Sequence, residues 1–405
     1  MTPTRSDRPV VLVGFAEALS APEVVWSLVD AGFRVTAFAR RGRASALRRS
    51  RHVRCVEVQA PESDARAAEQ DLARLIADAG PEATVLFPLD DTAVWLCSRQ
   101  SLPPRWIMAG PTGSAAELAL NKQVQCAAAL RSGFAVPATH VARTIEEVQR
   151  AAAVFPVILK AAECVHRWSD RVVRGRTWIC GNREELDRAC AQWGERVPLI
   201  VQPFIEGVGE GVFGIATPHG VRAWSAHRRV RMMNPQGSGS SACVSAPVDP
   251  QLRVAAERLI EQAGWRGLFM IELLRDAAGR AWFMELNGRP WGSMALARRL
   301  GLEYPAWQVD LALDPASGAG SAPASRNGAG VVCRHLGREL MHLLFVIRGP
   351  KSAALRQWPS TWRALRDVVA FHSSDAIYNW RRDDPAVFVS DCYYTVRDNL
   401  FRSRG

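Results

Sequence analysis

Residues 267–293, GLFMIELLRDAAGRAWFMELNGRPWGS, constrain the fold more than any other stretch of this chain. Two largely apolar runs flank Asp276-Ala-Ala-Gly279, and Asp first with Gly last is the composition of a tight turn. A two-residue loop there predicts an antiparallel hairpin that pairs Phe269 with Leu286, Ile271 with Met284 and Leu273 with Trp282. Those six side chains then share an apolar face suited to a core. The opposite face carries Glu272 and, diagonally from it, Glu285 and Asn287. Two acids and an amide among apolar neighbours are costly unless something pairs with them. A donor set of oxygens, with neither His nor Cys, describes a hard cation, and magnesium usually brings phosphate with it.

Upstream, residues 10–15 (VVLVGF) predict a buried strand, 22–31 a helix ending at Gly32, and 34–39 a second strand. The alternation continues through 53–58, the amphipathic 64–79 and 83–87, which is the pattern of a parallel, doubly wound sheet. The first loop, GFAEALSA, lacks GxGxxG, so a dinucleotide site of that kind is unsupported. Pro88-Leu89-Asp90-Asp91-Thr92 follows the strand at 83–87 and falls at the carboxyl ends of the strands, where such sheets bind ligands. Asp90 and Asp91 therefore read either as substrate-loop residues or as a helix N-cap pair. Further along, a helix is expected at 121–132 and a short strand at 156–161 carrying Lys160. Strands at 178–180 and 199–203 surround a helix at 183–193. A strand-rich stretch at 211–231 leads to a Gly/Ser loop at 236–242 and a helix at 251–263. Residues 314–330 have linker composition, and 331–405 read as a mainly helical segment rich in Arg and Trp.

Composition excludes several function classes. The 405 residues contain no apolar run near the roughly 20 residues that a membrane helix needs. Arg5 and Arg8 ahead of VVLVGFA loosely imitate a signal peptide, but Asp7 and Glu17 flank a very short apolar stretch that suits a buried first strand better. A cytoplasmic protein is the expectation. Nine cysteines without a CxxC, and eight histidines without HExxH, argue against a zinc site or a disulfide scaffold. The net charge of +11 comes from scattered arginines, a pattern that serves an anionic small molecule as well as it serves nucleic acid, and no nucleic-acid partner is expected. Only three of the 51 basic residues are lysine: Lys122, Lys160 and Lys351. A chain that uses arginine for generic positive charge keeps lysine where a compact ammonium is needed.

The segment E-x(12)-E-x-N-x-R, from Glu272 to Arg289, resembles the metal-binding signature of the ATP-grasp superfamily. The order of the upstream motifs is similar too. Asn121-Lys122 and Ile158-Leu-Lys160 resemble the two nucleotide-binding basic positions, and VQPFIEG (201–207) is similar to the adenine hinge. AHRRVRMMNPQGSGSSA (226–242) resembles the basic strand and mobile loop beside the triphosphate, and RPWGSMALARRLGLEYP resembles the segment after the metal site in the carbamoyl-phosphate-synthetase-like and predicted carboligase branches. The resemblance spans about residues 85–310; each motif alone is weak, and the ordered set is specific.

The resemblance implies an α/β and α+β architecture: a Rossmann-like parallel-sheet domain at 1–118, then a two-subdomain ATP-grasp fold at 119–313 with a lid at about 140–205. The linker at 314–330 and the helical C-terminal segment at 331–405 would follow. It implies ATP and magnesium (or manganese) as cofactors. Lys122 and Lys160 would contact the phosphates, and Gln202, Pro203, Phe204 and Ile205 the adenine, with Glu210 on the ribose. Glu272, Glu285 and Asn287 would hold the metal, Arg289 would stabilise the transferring phosphoryl group, and Arg228 and Arg231 would add phosphate contacts. The implied reaction joins a small-molecule carboxylate to an amine through an acyl phosphate, and a homodimer is compatible with it. Phosphorylation of a hydroxyl or enol, or ATP-regulated binding without catalysis, are the rival outcomes. Two positions depart from the family pattern. Gly288 replaces the usual proline, which is expected to loosen the backbone after Asn287. The first flexible loop, 162–177, is arginine-rich instead of glycine-rich, with Arg171, Arg174 and Arg176 offered as phosphate neutralisers.

Overall fold

The computed structural model describes residues 8–79, 84–237, 239–316, 330–355 and 357–401. The N-terminal sheet is parallel throughout, in the order Arg54–Val58, Arg34–Arg40, Val10–Gly14, Thr84–Pro88, Trp106–Met108. Val10–Gly14 lies in the middle. Helices cover both faces of such a sheet, which is why Val11, Leu12 and Val13 are all buried and the strand reads as an unbroken apolar run. Helix Ala21–Asp30 packs on one face through Val24, Val25 and Leu28. Helix Ala65–Asp78 packs on the other through Ala68, Leu72 and Ile76, with Asp64 as its N-cap accepting from the Ala67 amide at 2.9 Å.

A second, antiparallel sheet runs Thr177–Cys180, Val157–Ala161, Leu199–Pro203, His140–Ala142. Helices Ile145–Ala151 and Arg183–Trp193 close its apolar side around Leu159, Leu186 and Leu199. The third sheet is ordered Ala281–Asn287, Gly267–Arg275, Val208–Thr217, Gly220–Met232, Ser240–Ala246, Val332–Arg334, Ala376–Ile377. Its first six strands are antiparallel, and only the last pair is parallel.

The hairpin register differs from the expectation. Asp276 N–H donates to the Arg280 carbonyl and Gly279 N–H to the Asp276 carbonyl, each at 3.0 Å, so the loop holds three residues and ends on Gly279 at φ +83°. A bulge between Glu272 and Leu273 adds a second slip. Ile271 therefore faces Leu286, and Leu273 faces Phe283. Phe283 enters the core in place of Trp282 and Met284, and Glu272 comes to lie directly opposite Glu285.

One further expectation, the mainly helical C-terminal segment, holds with an addition, and another needs correction. The C-terminal segment contains helices Leu336–Arg348, Thr361–Val369 and Pro385–Phe401, but it also gives two strands to the third sheet. Strands of three and two residues carry no periodicity to read. The arginine-rich stretch at 162–177 is not an open loop. Val165–Trp168 and Arg171–Arg174 pair as a hairpin whose Val165 and Val172 are buried in the N-terminal core, with the Ala65 amide donating to Asp170 at 2.7 Å and the Val172 amide to Pro61 at 2.8 Å. Of the linker-like stretch, residues 317–329 lie outside the described residues. No helix among the described residues is long and apolar enough to cross a membrane, and all nine cysteines are free thiols.

Candidate functional site

A cavity of about 970 Å³ is lined by residues from all three sheets and from the C-terminal helices. Glu272 and Glu285 face it from neighbouring strands. Like charges in register repel, and here each is held by a cation. Lys122 Nζ lies 2.6 Å from Glu285 Oε2, and Arg229 Nη2 lies 2.6 Å from Glu272 Oε1. Asn287 Nδ2 donates to Glu285 Oε1 at 3.1 Å. Local structure places the lysine. Asn121 caps helix Lys122–Arg131 by accepting from the amides of Gln123 and Val124, which fixes Lys122 at the first helical position.

The charges follow from these neighbours. Lys122 holds the Glu285 carboxyl far below the usual carboxylate range against the opposing effect of burial, with Arg289 and Asn287 adding to it. Burial works against the Lys122 ammonium, but Glu285 beside it more than compensates and raises its pKa. Lys160, on strand Val157–Ala161, has no carboxylate within ion-pair distance among the described residues, and burial followed by the Lys122 charge lowers its pKa. Arg289 donates to Asp91 at 2.9 and 3.4 Å. The loop at the carboxyl end of the N-terminal sheet bears out the N-cap reading for Asp90 and ties Asp91 to Arg289. Asp90 caps helix Asp91–Cys97 through the Ala93 amide at 2.7 Å, and Asp91 fixes the arginine of the third sheet.

Lys122, Lys160, Glu272, Glu285, Asn287 and Arg289 are brought together on the cavity wall. Other candidates are not. Arg228 is exposed on the far side of its strand, and Arg231 is turned away into an ion pair with Glu339 at 2.6 Å. His227 and Arg229 face the cavity by ordinary alternation, and the register shifts that follow Arg229 bring Met232 to the cavity in place of Arg231. His227 Nδ1 lies 2.8 Å from Ser293 Oγ, and burial together with Arg229 pushes its pKa down to about 3, so the ring stays neutral. Glu210 is ion-paired with Arg275 at 2.9 Å and does not line the cavity. Gln202 points inward to Thr139 Oγ1 at 2.8 Å, and the Phe204 amide donates to the Pro156 carbonyl, so this pair, with Pro203 and Ile205, lies outside the cavity lining. Arg174 reaches the cavity rim, 3.8 Å from Asp91, whereas Arg171 and Arg176 remain exposed outside it.

Gly288 has a packing role. A Cβ there would stand 2.5 Å from the Trp265 ring and 3.1 Å from Pro111, so neither proline nor alanine fits without displacing Trp265. Sequence reasoning also missed Arg40, which is gripped by Glu17 at 3.3 Å, Glu62 at 3.0 Å and Asp90 at 3.0 Å while lying 3.8 Å above the Phe15 ring.

No group of three His, Cys, Asp or Glu residues suited to a metal occurs among the described residues. The donors present are two carboxylates and an amide. That set fits a hard divalent cation only if phosphate oxygens or water complete the shell, as is usual for magnesium.

No protein-family model matches the chain, and no curated protein matches it. Solved structures do. The L-amino acid ligase from Bacillus licheniformis superposes with a TM-score of 0.55 at 17% identity, over 76% of this chain and 74% of that one. The biotin carboxylase domain of 2-oxoglutarate carboxylase from Hydrogenobacter thermophilus, solved with MgADP and bicarbonate, gives 0.59 at 17% identity, over 80% and 73%. The N5-carboxyaminoimidazole synthetase from Staphylococcus aureus gives 0.55 at 13% identity, over 78% of each chain.

Proposed function

Because the chain carries the ATP-grasp fold, we propose that it is an ATP-dependent ligase that joins a carboxylate to an amine and releases ADP and phosphate. The observation that carries this reading is the charge arrangement of the cavity: Glu272 and Glu285 in register, Asn287 beside them, and Lys122, Lys160, Arg229 and Arg289 around them. Phosphoryl transfer needs positioned positive charge and a metal more than it needs a nucleophile from the protein.

Lys122 and Lys160 bind the triphosphate. Magnesium, or manganese with the same oxygen preference, would be held by Glu272, Glu285 and Asn287 and would neutralise charge on the phosphates. Lys122 then exchanges Glu285 for phosphate, and Arg229 exchanges Glu272 likewise, so the ion pairs keep a closely packed set of charges ordered until the nucleotide arrives. The substrate carboxylate attacks the γ-phosphorus and ADP leaves. Arg289, oriented by Asp91, stabilises the transferring phosphoryl group and the resulting acyl phosphate. The amine next attacks the acyl carbon, the acyl–oxygen bond breaks, phosphate departs, and the amine loses a proton to give the amide. In this reading Gly239 and Ser240, which line the cavity, help to exclude water from the acyl phosphate.

Purified protein incubated with MgATP and pools of amino acids and amines tests the proposal through phosphate release. Release that requires both an acid and an amine, with an amide formed in equal amount, is expected. A phosphorylated metabolite without amide would assign phosphotransfer instead, and ATP turnover indifferent to every acid would overturn the ligase.

A further inference from the structure

Nearly every cation on the cavity wall already has an anion. Arg40, Lys122, Arg229 and Arg289 are each ion-paired, and Arg43 and Arg174 are exposed at the rim. Among the described residues, two partly buried cations of the lining have no carboxylate within ion-pair distance: Lys160 and Arg338. Lys160 belongs to the nucleotide end. Arg338 comes from helix Leu336–Arg348, in the C-terminal segment, and no motif in the sequence marks it. Its Nη1 donates to the Ser240 carbonyl at 3.2 Å, and a Cβ on Gly239 would stand 2.5 Å from the same nitrogen, so the guanidinium reaches this segment through Nη1 at a position that leaves no room for a side chain. Burial lowers its pKa; Asp391, Tyr378 and Cys243 oppose that effect and Arg229 adds to it, which is the balance of a cation lacking its counter-ion.

Its place along the wall identifies the anion. Lys122 pairs with Glu285 on strand Ala281–Asn287, Arg229 on strand Gly220–Met232 reaches Glu272, and Arg338 donates to Ser240 at the start of strand Ser240–Ala246, next in the same sheet. Three strands of that sheet therefore lie between the strand of Glu285, which Lys122 engages, and the strand of Ser240, which Arg338 engages. Beside it, helix Pro385–Phe401 presents Asp391, Tyr394, Thr395, Asp398 and Asn399 to the cavity, spaced as one helical face, with Asp398 paired to Arg397 at 2.7 Å. Asp391 lies 2.9 Å from His335 Nε2 and accepts from Asn379 at 2.9 Å, so its attraction for the arginine acts at longer range than an ion pair.

We propose that Arg338 anchors the carboxylate of the acceptor substrate, and that the polar face of helix Pro385–Phe401 selects which carboxylate fits. This rests on the ligase reading. A planar guanidinium takes a carboxylate through two parallel hydrogen bonds, which a lysine cannot reproduce.

The test titrates the MgADP-loaded full chain with acetate, succinate and inorganic phosphate at constant ionic strength and follows the melting temperature. Wild type is expected to show a saturable rise with the carboxylates. Arg338→Gln is expected to weaken it at least tenfold and Arg338→Lys to fall between, with MgADP affinity unchanged in both. Carboxylate binding by Arg338→Gln equal to wild type would overturn the proposal. So would a response to phosphate alone, which describes a product-phosphate site, or a matching loss of MgADP affinity, which describes a nucleotide contact. If Arg338→Gln does not fold, Asn399→Asp carries the test by adding a negative charge to the same wall: weakened carboxylate binding with intact MgADP binding supports the anchor, and unchanged binding overturns it. The ligase reading fails separately. Arg338-dependent carboxylate binding without phosphate release in any acid–amine pool would refute that reading and leave the carboxylate site standing.

Discussion

Glu285→Gln separates the two tasks assigned to that carboxylate. In the nucleotide-free protein, Glu285 neutralises Lys122 at 2.6 Å, with side-chain exposures of 28% and 17%. Removing one partner of a fully buried pair costs about 3–5 kcal/mol. Partial exposure on the cavity side reduces this, so urea denaturation of the nucleotide-free variant is expected to read a loss of about 1–3 kcal/mol. With nucleotide, the loss has a second origin. Wild type at a MgADP concentration one hundred times its dissociation constant gains about 2.7 kcal/mol of stability. If the lost metal ligand weakens binding a hundredfold, the variant at the same concentration gains only about 0.4 kcal/mol. Turnover should fall at least about a hundredfold, since the metal's neutralisation of charge is worth several kcal/mol. A variant that is less stable without nucleotide but gains as much from MgADP as wild type would refute the metal role and leave Glu285 as a structural partner of Lys122.

The remaining predictions use the same geometry. Lys122→Arg and Lys160→Arg should each lower catalytic efficiency tenfold or more, about 1.4 kcal/mol, because a planar guanidinium does not fit a point-charge contact; wild-type kinetics in either would withdraw that lysine. Arg229→Gln should impair MgATP turnover tenfold or more while Arg228→Gln stays within twofold, and equal effects in steady-state kinetics would contradict the strand register. Glu339→Gln should cost about 2–3 kcal/mol in denaturant unfolding, because it unpairs Arg231 at a side-chain exposure of 14% and leaves Arg334, at 1%, with Asp375 as its one carboxylate among the described residues. Burial works against the Glu339 carboxylate, but Arg231 and Arg334 hold its pKa below the usual value. Its stabilisation is therefore present above the unfolded-state carboxylate pKa and is lost as pH falls through the lower folded value, and the Gln variant should lack that part of the acid dependence.

How much of this could be seen in the sequence depended on whether periodicity survived locally. The N-terminal sheet was legible because its central strands, Val10–Gly14 and Thr84–Pro88, are apolar runs in a regular alternation with helices, whereas the three-residue strand Trp106–Met108 carried too short a pattern to read. The acids of the hairpin were legible as polar residues opposite an apolar strand face. Their pairing was not, because a three-residue loop and a bulge each shift the register by one residue. The same kind of irregularity, after Arg229, turned Arg231 away from the cavity against the strand's alternation. The segment 202–205 matched the hinge motif and Glu210 fell one residue past the position that family spacing indicates; here Glu210 is paired with Arg275, Gln202 with Thr139 and the Phe204 amide with the Pro156 carbonyl. Arg40, Asp91 and Arg338 reach the site from segments far apart in the chain, and no local pattern announces a contact across 198 positions such as Asp91 with Arg289.

The central claim is that a carboxylate is activated by phosphoryl transfer. The most direct measurement uses a carboxylate substrate identified by phosphate release, labelled with oxygen-18 in its carboxyl group, with MgATP and the amine, and phosphorus NMR of the products. The account predicts ADP and inorganic phosphate carrying one labelled oxygen, the atom that bridged carbon and phosphorus in the acyl phosphate. AMP carrying the label, with pyrophosphate released, would show adenylate chemistry and contradict it.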